Sequence, residues 1–122
     1  EFKLTKDKKE NCENRIKSFM QKRRLTQPLS FPSAGCVFRN PVAGFLNTQP
    51  ALGLSAGKLI EEAGLKGKRI GDVEVSNLHS NFIINRGKGT AKDMIKLINI
   101  IENRIEKAYK IKLKKEIQIV GE

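Results

Sequence analysis

Two cysteines and a single histidine are the side chains of this sequence that most invite chemistry by type alone. Cys12 lies in a charged stretch with helical spacing, whereas Cys36 follows a glycine in a loop or short strand. Placed so differently, both are expected to be free thiols. A free thiol with a pKa of about 8.5 is mostly protonated at neutral pH and can give up a proton. Its more common use is as a small buried apolar group. His79 invites a catalytic role for the same reason of scarcity. No zinc-type spacing of Cys and His appears, so no metal is expected. The glycines Gly53, Gly57, Gly64, Gly67 and Gly71 form no dinucleotide-binding loop and read as turn and cap positions.

Charge is the strongest compositional signal. Lysine and arginine number 24 against 13 acidic residues, a formal net charge of +11. Such an excess suits a polyanionic partner, either nucleic acid or phosphates on a smaller ligand. Part of it has a local explanation, because Lys22, Arg23 and Arg24 fall where the negative end of a helix dipole is expected.

The elements that must position these groups follow from periodicity. At 122 residues the chain fits one domain with one modest core. From Thr5 to about Arg24, Cys12, Ile16, Phe19 and Met20 recur at helical spacing, with Thr5 or Asp7 as cap. Pro28, Pro32, Gly35 and Pro41 then break the chain too often for a long element, leaving Cys36–Phe38 at most a short strand. Ser55 to Gly64 predicts a short helix with Ser55 as cap and Gly64 as stop. Arg69 to Ser76 and Asn81 to Asn85 read as strands. Thr90 to Tyr109 carries a long apolar stripe behind a capping-box-like start at Thr90 and Asp93, and Glu116 to Val120 alternates like a terminal strand.

This order predicts an α+β, two-layer domain with helices packed on one face of a small mixed β-sheet. The other face needs a cover, supplied by the domain's own helices or by a neighbour. No apolar run approaches the roughly 20 residues of a membrane span. The start, EFKLTKDKKEN, lacks an apolar signal region, so a cytoplasmic location is expected.

The run PSAGCVFRNP, Pro32 to Pro41, resembles the signature of the UDP-N-acetylenolpyruvoylglucosamine reductase family, in which Ser or Cys follows Ala-Gly and an aromatic and a basic residue precede Asn-Pro. Four further stretches follow in the family's order: AGKLIEEAGLKG, RIGDVEVSNLHSNFIIN, GTAKDMIKLI and KEIQIVGE. The resemblance covers nearly all of the chain from Gln27 onward. It implies a C-terminal, UDP-sugar substrate-binding domain over residues 27–122, with residues 1–26 as a helix leading in from flavin-binding domains that are not present.

The family's reaction passes a hydride from FAD, recharged by NADPH, to the enolpyruvyl group of UDP-N-acetylglucosamine enolpyruvate. The product is UDP-N-acetylmuramate, for peptidoglycan synthesis. Hydride addition to one enol carbon builds negative charge on its neighbour, which needs stabilisation and then a proton. The resemblance places the proton donor at Cys36 and a second acidic group at Glu116, acting with an arginine of the absent domains. Glu122 lies past KEIQIVG, the part of the last stretch that carries Glu116, and is expected to be inert. For diphosphate and uridine the resemblance implies Arg24, Gln27, Arg39, Asn40 and His79, since cationic and amide donors suit phosphate oxygens. The short spacer VAGFLNTQPALGLS implies the family type that lacks an inserted Tyr-bearing loop.

Two rival readings remain. A basic nucleic-acid-binding domain would explain the charge, but aromatic residues are only 6% and none interleave with the basic ones as a stacking motif. A relative that binds UDP-sugars without reducing them would have little reason to retain both Cys36 and Glu116.

Overall fold

A computed structural model of the chain describes residues 3–41 and 55–121. The elements run α1 (Lys9–Thr26), β1 (Ser33–Cys36), α2 (Ala56–Glu62), β2 (Arg69–Ile70), β3 (Val73–Val75), β4 (Phe82–Asn85) and α3 (Ala91–Tyr109). The four strands form one sheet in the order β1-β4-β3-β2. The α+β class holds, but every pairing is antiparallel, where the element order had suggested a mixed sheet. The reason is connection length. A parallel pair needs a crossover of a dozen or more residues, whereas β2, β3 and β4 follow one another through a tight turn and a short loop. The expected strand Arg69–Ser76 is a hairpin folded at Gly71 (φ 54°), where a Cβ would come within 2.8 Å of an Asp93 carboxylate oxygen.

The longest helix forms as its sequence predicts. Thr90 and Asp93 close a capping box, and Leu97, Ile98, Ile101 and Ile105 are buried along one stripe. These side chains meet Leu59 and Ile60 of α2 and Val73, Val75 and Ile83 of the sheet in a single core, with Val37 and Phe38 beside them. Ser55 accepts the Lys58 amide to cap α2, as expected.

Both ends of the chain depart from expectation. Helix α1 begins at Lys9 rather than Thr5, with no side-chain cap on its amides; Asp7 instead accepts from the Lys8 amide and the Asn11 carboxamide. None of its residues is buried, and Ile16, Phe19 and Met20 are exposed, so its apolar stripe lies outside this core. The terminal strand expected at Glu116–Val120 does not form. Ile119 and Val120 are exposed, and backbone pairing falls earlier, at an isolated bridge between Phe38 and Lys115. The buried alternating pair that anchors this segment is Ile111 and Leu113.

Cross-strand register assigns the second sheet face. Ile84 lies opposite Glu74, and Phe82 opposite Cys36, so these four share the face away from Val75 and Ile83. Glu74 is buried and takes a two-pronged hydrogen bond from Arg86, at 3.0 and 2.9 Å, while that guanidinium stacks 4.8 Å over Phe31. The Arg86 hydrogen bonds hold the Glu74 carboxyl below its ordinary value, outweighing burial. A carboxyl lowered in the folded state adds stability above its unfolded pKa of about 4.3 and loses it as pH falls through the folded value. Arg86→Met is therefore expected to lower stability at pH 7, because it leaves the buried Glu74 carboxylate without its partner, an effect moderated by the exposure of Arg86. The cost should shrink at a pH below the ordinary carboxyl value of about 4.3, as the carboxyl is neutralised first in the variant and then, at the lowered value, in the wild type. Urea midpoints at the two pH values measure it.

Candidate active site

Cys36 ends β1, half-buried, at a register shift in the β1–β4 pairing, with Phe82 opposite. It forms no disulfide, and neither does Cys12. Burial pushes its thiol above the ordinary value, and the charge of Glu116 pushes the same way, while a hydrogen bond with the Asn81 side chain acts against both. Such a thiol is more firmly protonated at neutral pH than a free one, which suits an acid rather than a nucleophile.

The backbone immediately after Cys36 brings Glu116 to it from the far end of the sequence. The Glu116 amide donates to the Val37 carbonyl at 2.8 Å and the Arg39 amide donates to the Lys114 carbonyl at 2.8 Å, flanking the Phe38–Lys115 bridge. On the other edge of the same two residues stands Asn81. Its carbonyl accepts from the Val37 amide at 2.9 Å. Its side chain pairs with Phe38 in both directions, accepting from the amide at 3.0 Å and donating to the carbonyl at 2.8 Å. Asn81 is buried. The sequence marks it only as the start of a strand; the signal it carries is a carboxamide at a strand boundary, where such side chains complete backbone hydrogen bonds.

The remaining expected residues are distributed unevenly about this cluster. Arg39 continues the chain, exposed and without an ion pair among the described residues. Asn40 is also exposed, but its carboxamide oxygen accepts the Ala56 amide at 3.0 Å, so half of its hydrogen-bonding capacity ties this segment to the start of α2. His79 is joined to the cluster through Asn81, whose amide donates to Nδ1 at 3.3 Å, and its ring lies 4.6 Å from that of Phe82. The same ring lines an open groove of about 500 Å³ with Lys58, Glu61, Leu78 and Ser80. The Ser80 hydroxyl is buried there without a hydrogen-bond partner among the described residues.

Arg24 and Gln27 stand apart at the end of α1. Gln27 caps that helix and accepts from Arg23 Nε at 2.8 Å, so Arg23, not Arg24, is the arginine coupled to it. Among the described residues no hydrogen bond joins either of them to the Cys36 cluster. Glu122 and nearly all of the spacer, Val42 to Leu54, lie outside the described residues, so the inserted-loop distinction falls outside them too. Among the described residues no three His, Cys, Asp or Glu side chains group as metal ligands, and no helix is long and apolar enough to cross a membrane.

Comparison with known proteins identifies the family and the fold. Residues 27–120 match the family model described as UDP-N-acetylenolpyruvoylglucosamine reductase, C-terminal domain. The chain is 44% identical over 121 residues to the UDP-N-acetylenolpyruvoylglucosamine reductase of Clostridium kluyveri, and 42% identical over 121 residues to that of Clostridium tetani. Both alignments cover 99% of this chain but only 36% of the relative, so the chain spans about a third of the length of the relatives it matches. The crystal structure of the reductase from Thermus caldophilus superposes with a TM-score of 0.70 at 37% identity, covering 95% of this chain and 37% of that one. None of this supports a nucleic-acid-binding domain. With its motifs, its α+β fold and these relatives in agreement, the chain belongs to the UDP-N-acetylenolpyruvoylglucosamine reductase family and corresponds to its C-terminal domain.

Proposed function

We propose that residues 27–122 are the substrate-binding domain of a reductase that converts UDP-N-acetylglucosamine enolpyruvate to UDP-N-acetylmuramate in the cytoplasm, with residues 1–26 leading in from the flavin-binding part. The observation that carries this reading is the backbone pairing that sets Glu116 beside the strand of Cys36. The described residues do not fit a flavin. The groove beside His79, of about 500 Å³, is open and has a single cationic side chain, Lys58, in its lining. FAD, recharged by NADPH, is therefore assigned to chain outside these residues, where it would supply the hydride.

What this domain contributes is the proton. Once an enol carbon has taken hydride, the neighbouring carbon carries the charge, and Cys36 gives it the Sγ–H proton, leaving a thiolate to be reprotonated by solvent. The raised thiol keeps that proton available at neutral pH. Glu116 orients a cationic group toward the developing anion, in keeping with its exposed position at the edge of the cluster. Arg39 and Asn40 are exposed next along the chain, placed to donate to the diphosphate, with Arg24, Gln27 and His79 at the margins.

Calorimetric titration of the chain with the UDP-sugar substrate tests the reading, with random DNA as competitor. Saturable binding of the sugar nucleotide is expected. Strong, salt-sensitive binding of DNA that the nucleotide does not affect would overturn it. The chain alone is expected to catalyse no substrate-dependent NADPH oxidation, and measurable oxidation would show that the flavin site has been assigned wrongly.

A further inference from the structure

We propose that Asn81 is a positioning residue of the Cys36 site: its carbonyl and carboxamide lock the two residues that follow Cys36, and through them the separation between thiol and Glu116. This rests on the reading of Cys36 as the proton donor.

The backbone groups of residues 37–39 divide between two partners. The Val37 carbonyl and the Arg39 amide go to the C-terminal segment that bears Glu116. The Val37 amide and both backbone groups of Phe38 go to Asn81. An ordinary strand neighbour would supply these bonds from its backbone. Here the Asn81 amide turns instead to His79 Nδ1, and the side chain takes over on the Phe38 side. Every polar group of Asn81 is thereby used in a site that is 4% exposed. Phe38 is 1% exposed, so without the carboxamide its amide and carbonyl would be buried and unpaired. The influence of the Asn81 side chain in lowering the thiol value, and the hydrogen bond of its amide to His79, tie the same residue to both sides of the site.

The chemistry asks for asparagine specifically. Aspartate would keep the acceptor for the Phe38 amide, lose the donor for the carbonyl and add a negative charge beside the thiol. Alanine would lose all of the side-chain bonds. Both changes disfavour the thiolate, so both should raise the pH at which Cys36 becomes reactive, Asn81→Asp the more.

The test uses two readouts. In the Cys12→Ser background, iodoacetamide alkylation of Cys36 followed against pH reports the thiol directly. In the complete reductase carrying this domain, steady-state kinetics report turnover. For Asn81→Asp and Asn81→Ala, kcat is expected to fall about 100-fold with KM for the enolpyruvyl substrate unchanged. The alkylation midpoint should move upward in both. Wild-type kcat, or an unmoved midpoint, in a folded variant overturns the proposal, since a residue that serves folding alone would lower stability and leave the titration where it was. If both variants fail to fold, the Asn81 side-chain amide of the wild-type chain is followed by 15N NMR; it should titrate with Cys36, and a flat response overturns the proposal. Failure of the underlying reading looks different: Cys36→Ala would turn over normally while the alkylation midpoint still responded to Asn81.

Discussion

Cys36→Ala in the reductase that carries this domain is expected to cut turnover by roughly 10²–10⁴-fold, the usual contribution of a positioned general acid. On the proposed assignment the thiol acts only after hydride has left, so reduction of the flavin by NADPH should proceed at the wild-type rate. Stopped-flow absorbance separates the two half-reactions, and loss of both would undo the assignment. Cys36→Ser is expected to retain much of the activity, since the family signature admits either residue at this place and the hydroxyl also carries a proton. The pH profile offers an independent check. Burial first, and the Glu116 charge second, raise the thiol in the folded protein. The group therefore remains a competent acid through neutral pH, and the alkaline limb of the kcat profile should lie above the ordinary thiol value of about 8.5. In Glu116→Gln one of the two raising influences is gone, so that limb should move to lower pH. A limb that stays put would mean that Cys36 is not the group being titrated.

The parts of this domain that were legible beforehand are those where local chemistry and tertiary packing agree. The capping box at Thr90 and Asp93, the Ser55 cap and the stripe from Leu97 to Ile105 are all short-range patterns, and each forms as written. Cys36 and Glu116 were picked out by resemblance, but no local rule says that they meet. Their proximity depends on a few backbone bonds around Val37 and Phe38 between segments distant in sequence. That same non-local pairing explains the misplaced terminal strand. Alternation of Glu116 to Val120 is a genuine pattern, yet Ile111 and Leu113 already fill the space in the core, and the chain pairs where they deliver it. The antiparallel sheet was obscured for another reason: the turn at Gly71 is short enough to hide a hairpin inside what reads as one strand. Asn81 was missed because a carboxamide standing in for a strand is visible only when its partner is known.

The second large effect is expected at Phe38, where core and site share one residue. Its ring is 1% exposed in the cluster formed by α2, α3 and the sheet, while its backbone carries the Asn81 bonds and the bridge to Lys115. Phe38→Ala should cost about 3–5 kcal/mol, from lost burial together with the cavity left behind. Against a typical domain stability of about 5–15 kcal/mol, that is a large fraction, and urea denaturation measures it. The loss should also be unevenly distributed. The backbone bonds survive the substitution, but the ring that pins their strand to the core is gone, so the segment bearing Glu116 should open before the rest of the domain unfolds. Hydrogen exchange reads this at two amides, Glu116 and Arg39, which donate across the seam to Val37 and Lys114. Both should exchange through a local opening of lower free energy in Phe38→Ala, while the Leu97 and Ile101 amides of α3 keep tracking global unfolding. Phe38→Leu fills most of the space and should restore much of the protection at both positions. Equal loss of protection at Glu116, Arg39 and α3 would instead mean that the thiol and the carboxylate are held by the fold as a whole, and that the Phe38 seam has no separate part in keeping them together.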